Sequence, residues 1–67
     1  MTEKEEKRLR HILARFEGVK HSSVEIVCAE SPTNGRRRVY AKIRGFQYGY
    51  IFENERVAGS WKCVYEV

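Results

Sequence analysis

The chain has 67 residues, of which 42% are hydrophobic and 33% are charged, and its formal net charge is +4 at pH 7. This length allows one small core, and no uncharged stretch approaches the ~20 apolar residues of a membrane-spanning helix. We therefore expect a single domain over residues 1–67 that has no membrane partner. The N-terminus is polar and shows no secretory signal, so we expect a cytoplasmic protein.

An amphipathic helix is predicted over residues 3–17. Thr2 and Glu5 have the spacing of a capping box at its start, and Gly18 is well placed to end it. The apolar residues follow the i, i+3, i+4, i+7 pattern of one helix face, and they are Leu9, Ile12, Leu13 and Phe16. We expect this face to pack on the rest of the protein, with Ile12 and Phe16 in the core.

Four segments with a two-residue period follow the helix. Their apolar positions are Val24, Ile26 and Cys28; Val39, Ala41 and Ile43; Phe46, Tyr48, Tyr50 and Phe52; and Trp61, Cys63 and Tyr65. Asn34-Gly35 is a strong hairpin signal between the first two segments. The pattern predicts an α+β fold, in which one N-terminal amphipathic helix packs on a four-stranded antiparallel meander (α-β-β-β-β).

Even-length loops between these strands would place all the apolar sets on one face of the sheet. A four-residue loop at 32–35 would pair Cys28 with Val39, and a two-residue loop Gly45-Phe46 would pair Ile43 with Tyr48. A tight turn at Asn54-Glu55 would pair Phe52 with Val57 and Tyr48 with Trp61. The stretch 53–60 could instead form a longer loop. On this register the aromatic run from Phe46 to Phe52 belongs to the core and is not a surface for stacking bases.

The two cysteines and two histidines indicate neither a disulfide nor a metal site. Three strand spacings, roughly 14 Å, would separate Cys28 from Cys63 in a meander, whereas a disulfide needs Cα atoms within about 7 Å. His11 and His21 have no acidic or cysteine residues at ligand spacing. We expect both thiols to be reduced, and we expect no metal and no cofactor.

The basic charge is concentrated between residues 36 and 44. Five basic residues and no acid lie there, namely Arg36, Arg37, Arg38, Lys42 and Arg44, so the other residues sum to −1. A focused basic strip is a plausible footprint for an acidic protein partner or for nucleic acid. Strand alternation directs Arg36 and Arg38 to the face away from the helix, and Arg37 towards the helix side.

The sheet face away from the helix, here called the open face, is predicted to combine apolar and basic side chains. Val27, Tyr40 and Ile51 could line up across three strands, while Glu25 and Glu53 could partly neutralise the basic strip. The predicted binding residues are Val27, Arg36, Arg37, Arg38, Tyr40, Lys42, Arg44 and Ile51. We expect this face to dock a partner or to form a homodimer.

No nucleophile elbow, glycine-rich phosphate loop or paired-carboxylate site occurs in the sequence. The favoured hypothesis is a small regulator or inhibitor that is not an enzyme and engages a protein through the open face. A nucleic-acid-binding module that uses residues 36–44 is the alternative. A ribonuclease-type toxin is a more distant one.

Overall fold

The computed structural model of the protein describes residues 2–54 and 60–67. The helix α1 (Glu3–Glu17) is followed by a 3₁₀ turn (His21–Ser23) and by the strands β1 (Val24–Ala29), β2 (Arg36–Ile43), β3 (Phe46–Asn54) and β4 (Trp61–Glu66). The strands form one antiparallel sheet in the order β1-β2-β3-β4. The predicted α-β-β-β-β fold is confirmed. Within the described residues, no helix is long and apolar enough to cross a membrane.

The ends of α1 follow from the side chains at its two termini. Thr2 Oγ1 accepts a hydrogen bond from the Glu5 amide at 3.1 Å, which satisfies one of the unpaired donors of the first turn. Gly18 takes a left-handed φ of 67° and donates its amide to the Ala14 carbonyl, which stops the helix. The predicted bounds of 3–17 are confirmed.

Both hairpin turns have two central residues with positive φ. Asn34 and Gly35 form the first turn (φ 52° and 75°), and Arg44 and Gly45 form the second (φ 53° and 87°). This conformation matches the twist of the flanking strands and favours glycine at the second central position. The predicted Gly45-Phe46 loop is therefore wrong by one residue.

The shift of the second turn changes the register but not the faces. Ile43 pairs with Phe46, and Tyr48 pairs with Ala41 instead of Ile43. The slip is two residues, so every side chain of β3 keeps its side of the sheet.

A β-bulge interrupts the pairing of β1 with β2. Val24 pairs with Ile43 and Ile26 with Ala41, but Cys28 lies opposite Tyr40. The predicted pairing of Cys28 with Val39 is wrong because the extra residue in β1 moves Ala29 into that place. Ala29 packs against the core, and Cys28 is exposed.

The connection from β3 to β4 is longer than the predicted tight turn. Trp61 lies opposite Asn54, so its predicted pairing with Tyr48 is wrong. The predicted turn residue Glu55 and the predicted partner Val57 lie outside the described residues. A second irregularity, between Ile51 and Phe52, places Tyr65 opposite Ile51 on the open face.

The core lies between α1 and the sheet. Its buried apolar residues are Leu9, Leu13, Ala14, Val24, Ile26, Val39, Ala41, Ile43, Tyr50 and Phe52. The aromatic run is core only in its second half, because Phe46 and Tyr48 remain 69% and 38% exposed. Phe16 is 44% exposed and only touches Tyr50 edge-on, with ring centroids 6.1 Å apart. The expectation that Phe46, Tyr48 and Phe16 are core residues is wrong, since the helix leaves this end of the sheet uncovered.

Candidate binding face

The open face is organised by the pairing of β2 with β3. Arg38 lies opposite Ile51, Tyr40 opposite Gly49, and Lys42 opposite Gln47. Because alternate residues share a face, the cross-strand pairs form three successive rows. The apolar row expected from Val27, Tyr40 and Ile51 is therefore staggered: Ile51 lies in the row of Arg38 and not in that of Tyr40.

Tyr40 lies against a strand position that has no side chain. A methyl group at Gly49 would come within 3.3 Å of Tyr40 Cε1 and within 3.7 Å of Val67 Cβ. The aromatic ring thus covers the surface that glycine leaves bare. The Val67 amide donates to the Gly49 carbonyl at 2.8 Å and extends the pairing beyond the end of β4.

The Arg38 guanidinium is held beside the Tyr40 ring. Its Nη1 donates to the Tyr40 hydroxyl at 3.3 Å. This hydrogen bond, together with the charges of Tyr40 and Glu30, raises the pKa of Arg38 above its usual value. Arginine is protonated at any physiological pH, so Arg38 presents a positive charge at the centre of the open face.

Tyr65 is the binding-face residue that sequence reasoning missed. It is 47% exposed and lies opposite Ile51. Strict alternation from Trp61 and Cys63 would place Tyr65 on the helix side. The irregularity in the pairing of β3 with β4 places it on the open face instead. Tyr65 and Ile51 help to line a hollow of about 190 Å³, whose other residues are Glu30, Ser31, Thr33, Arg36, Arg37 and Arg38.

Carboxylates from the neighbouring strands balance much of the basic strip. Arg36 Nη2 lies 2.6 Å from Glu53 Oε2, and Glu53 also pairs in register with Lys62 of β4. Glu25 lies opposite Lys42. The open face therefore has mixed charge around an apolar and tyrosine-rich centre.

Arg37 is not on the open face. As predicted from alternation it points to the helix side, where it is only 8% exposed. Its Nη1 lies 3.1 Å from Glu5 Oε1, its Nε donates to the Glu30 carbonyl at 3.1 Å, and its guanidinium carbon lies 5.3 Å from the centre of the Trp61 ring. These contacts join α1, the β1–β2 connection and β4, so the guanidinium is engaged within the protein.

Arg44 and Val27 lie at the margins of the open face. Arg44 is an exposed central residue of the turn between β2 and β3, and therefore stands beyond the strands. Val27 is 43% exposed and belongs to the bulged part of β1. The residues that the structure brings together at the centre are Arg38, Tyr40, Ile51 and Tyr65.

The two cysteines are free and occupy different environments. Cys28 is exposed, whereas Cys63 is half-buried on the helix side, opposite Phe52. Burial, with a smaller effect of the Glu17 charge, raises the pKa of the Cys63 thiol to about 12.

We expect a thiol reagent at pH 8 to modify Cys28 quickly and Cys63 more than tenfold more slowly, because the thiolate is the reactive form. Mass spectrometry of the digested protein at successive times measures both rates. Equal rates in the folded protein would contradict the burial of Cys63, and urea-unfolded protein, in which both thiols should react alike, is the control.

The two histidines contact each other, a relation that their ten-residue separation does not reveal. His11 Nδ1 and His21 Nε2 are 2.9 Å apart, and the rings meet edge to face. This contact links α1 to the 3₁₀ turn. Within residues 2–54 and 60–67 no group of three or more potential metal ligands is present.

Comparison with protein-family models, curated proteins and solved structures finds no match for this chain.

Proposed function

We propose that the chain is a small non-enzymatic binding module, with a regulatory or inhibitory role, that engages a protein through its open face. The observation that carries the proposal is the cluster of Arg38, Tyr40, Ile51 and Tyr65. Tyrosine and arginine are enriched among the residues that dominate protein–protein binding energies, and their long side chains cover much area. The partner is an acidic protein or a second copy of the chain.

The mixed charge of the open face favours a protein over nucleic acid. A phosphate-binding surface gains affinity from basic side chains that neutralise phosphates. Here Arg36 is paired with Glu53, Glu25 faces Lys42, and Arg37 is buried. Alternating charges around an apolar centre instead give the register and specificity that a protein interface requires.

The position of the histidines supports a non-enzymatic role. His11 and His21 are the side chains best suited to proton transfer near neutral pH. They contact each other on the helix side of the molecule. The open face is thus separated from these two groups, and its tyrosines and basic residues are suited to binding.

Replacing Tyr65 by glutamate should weaken association at least tenfold, because it puts a charge into the apolar centre of the interface. Tyr48→Glu is the matched control, since Tyr48 is also an exposed β-strand tyrosine, 38% against 47%, but lies on the helix side. Sedimentation velocity over a concentration series measures self-association, and affinity capture with purified protein measures a partner.

The proposal requires a species bound by wild type and by Tyr48→Glu but lost with Tyr65→Glu. Unchanged binding by Tyr65→Glu, with circular dichroism showing both variants folded, would contradict it.

A further inference from the structure

The solvent side of α1 carries a second basic surface, which we call the basic helix face. Its residues are Lys4, Lys7, Arg8, His11 and Arg15, all of them exposed. At 3.6 residues per turn these five side chains fall within a sector of about 100° of the helix circumference, and no acid lies in that sector. Arg10 lies on the flank of α1, outside this sector, and is paired with Glu6 at 3.4 Å.

The basic helix face is long and straight. Lys4 and Arg15 are separated by about 16 Å along the helix axis. Lys20, which is exposed just beyond the end of α1, continues the basic character. This geometry is that of a linear array of positive charges on a rigid support.

The chemistry of this surface is unlike that of a protein interface or a membrane anchor. Leu9 and Leu13 are directed into the core, where they are at most 1% exposed, and the half-buried Ile12 packs against it. Phe16 is 44% exposed but lies outside the sector of the basic helix face. Within that sector there is no large apolar side chain to insert into lipid or to form the desolvated centre of a protein interface, and Ile12 borders it in a shallow hollow. The sector itself is therefore best suited to electrostatic attraction to a polyanion.

We propose that the basic helix face binds the phosphate backbone of double-stranded DNA, independently of base sequence. Duplex DNA carries one charge for each ~1.7 Å of its axis, so the array can neutralise several phosphates at once. A helix with its side chains is about 10–12 Å across and fits the major groove of B-form DNA, which is wider than that of A-form RNA. Single strands are less suitable, because they are usually held by stacking on several aromatic side chains, and this surface has no Phe, Tyr or Trp.

This surface is separate from the open face, because α1 covers the opposite side of the sheet. DNA and a protein partner could therefore be held at the same time. The inference does not depend on the proposed function: loss of DNA binding would leave protein binding intact, and the reverse.

The test is fluorescence anisotropy with a labelled duplex of arbitrary sequence. With four phosphate contacts, affinity should fall on the order of 100-fold between about 50 and 200 mM salt. The triple variant K4Q/K7Q/R15Q should lose at least tenfold in affinity and show a shallower salt dependence. Its matched control, K42Q/R44Q/K62Q, removes the same charge from the sheet and should change affinity less than threefold.

Several results would overturn the proposal. Equal losses in the two triple variants would show that only net charge matters. Preference for duplex RNA, for a single strand or for vesicles containing phosphatidylserine would assign the surface to another ligand. A salt-independent affinity would also contradict it. The variant Tyr65→Glu separates this proposal from the proposed function. It should bind DNA as the wild type does, even if it no longer binds a protein partner.

Discussion

Replacing Leu13 by alanine should lower the free energy of unfolding by about 2–5 kcal/mol, because the side chain is completely buried and leaves a cavity between α1 and the sheet. A domain of this length has a total stability of roughly 3–10 kcal/mol. The loss is therefore a large part of the whole, and the variant should unfold at a clearly lower urea concentration than the wild type. Urea denaturation followed by circular dichroism measures it.

Phe16→Ala is the matched control for Leu13→Ala. Phe16 lies one turn further along α1 and has a larger side chain, but it is 44% exposed. Burial and not side-chain size should decide the outcome, so we expect a loss of about 1 kcal/mol. A loss at Phe16 equal to that at Leu13 would show that α1 packs on the sheet in a different rotation.

Replacing Arg37 by methionine should cost about 1.5–3 kcal/mol, because it removes a charged hydrogen-bond donor and keeps most of the apolar stem. The buried guanidinium bonds the Glu30 carbonyl, which would be left without this donor. Its ion pair with Glu5 contributes less, since Glu5 is 40% exposed and water screens the charge. The urea midpoint of the variant measures the loss.

Arg36→Met tests the same substitution at the adjacent position. Arg36 has a short ion pair with Glu53, but its side chain is 59% exposed, and such surface pairs contribute about 0–1 kcal/mol. We therefore expect a large difference between two neighbouring arginines. Equal and small effects would contradict the structural role assigned to Arg37.

The fold could be predicted from the sequence because its signals agree with one another. The capping box at Thr2, Gly18 and Asn34-Gly35 define the element boundaries, and the period of the apolar residues changes from helix to strand. Errors in loop position shifted the register by two residues at the second hairpin, which preserved the faces. The face on which a strand residue lies is therefore easier to predict than its pairing partner, because the face depends only on the alternation of side chains.

The remainder could not be predicted because it depends on breaks in that alternation. The irregularity near Ile51 transfers Tyr65 to the open face, and the bulge in β1 exposes Cys28. The extra residues lie in β1 and β4, and no residue type there signals them, since neither of these two strands contains a glycine or proline. The engagement of Arg37 by Glu5 and Trp61 likewise depends on tertiary packing, so the sequence made it look like part of the basic strip.

The exposed end of the aromatic run has a similar cause. Alternation correctly places Phe46 and Tyr48 on the helix side, but it cannot show how far the helix extends over the sheet. Because α1 ends at Glu17 and lies against β1 and β4, the start of β3 is left uncovered. The burial of a strand residue thus depends on where the helix crosses the sheet as well as on which face of the sheet the residue lies.

Site-specific photo-cross-linking tests the role of the open face most directly. A benzophenone side chain is placed either at position 65 or at position 48, and the protein is irradiated in the cells that produce it. Binding through the open face predicts a cross-linked product, with a second copy or with another protein, from position 65 and little or none from position 48. Cross-linking from position 48 alone would contradict the proposal and assign the interface to the uncovered end of the helix side.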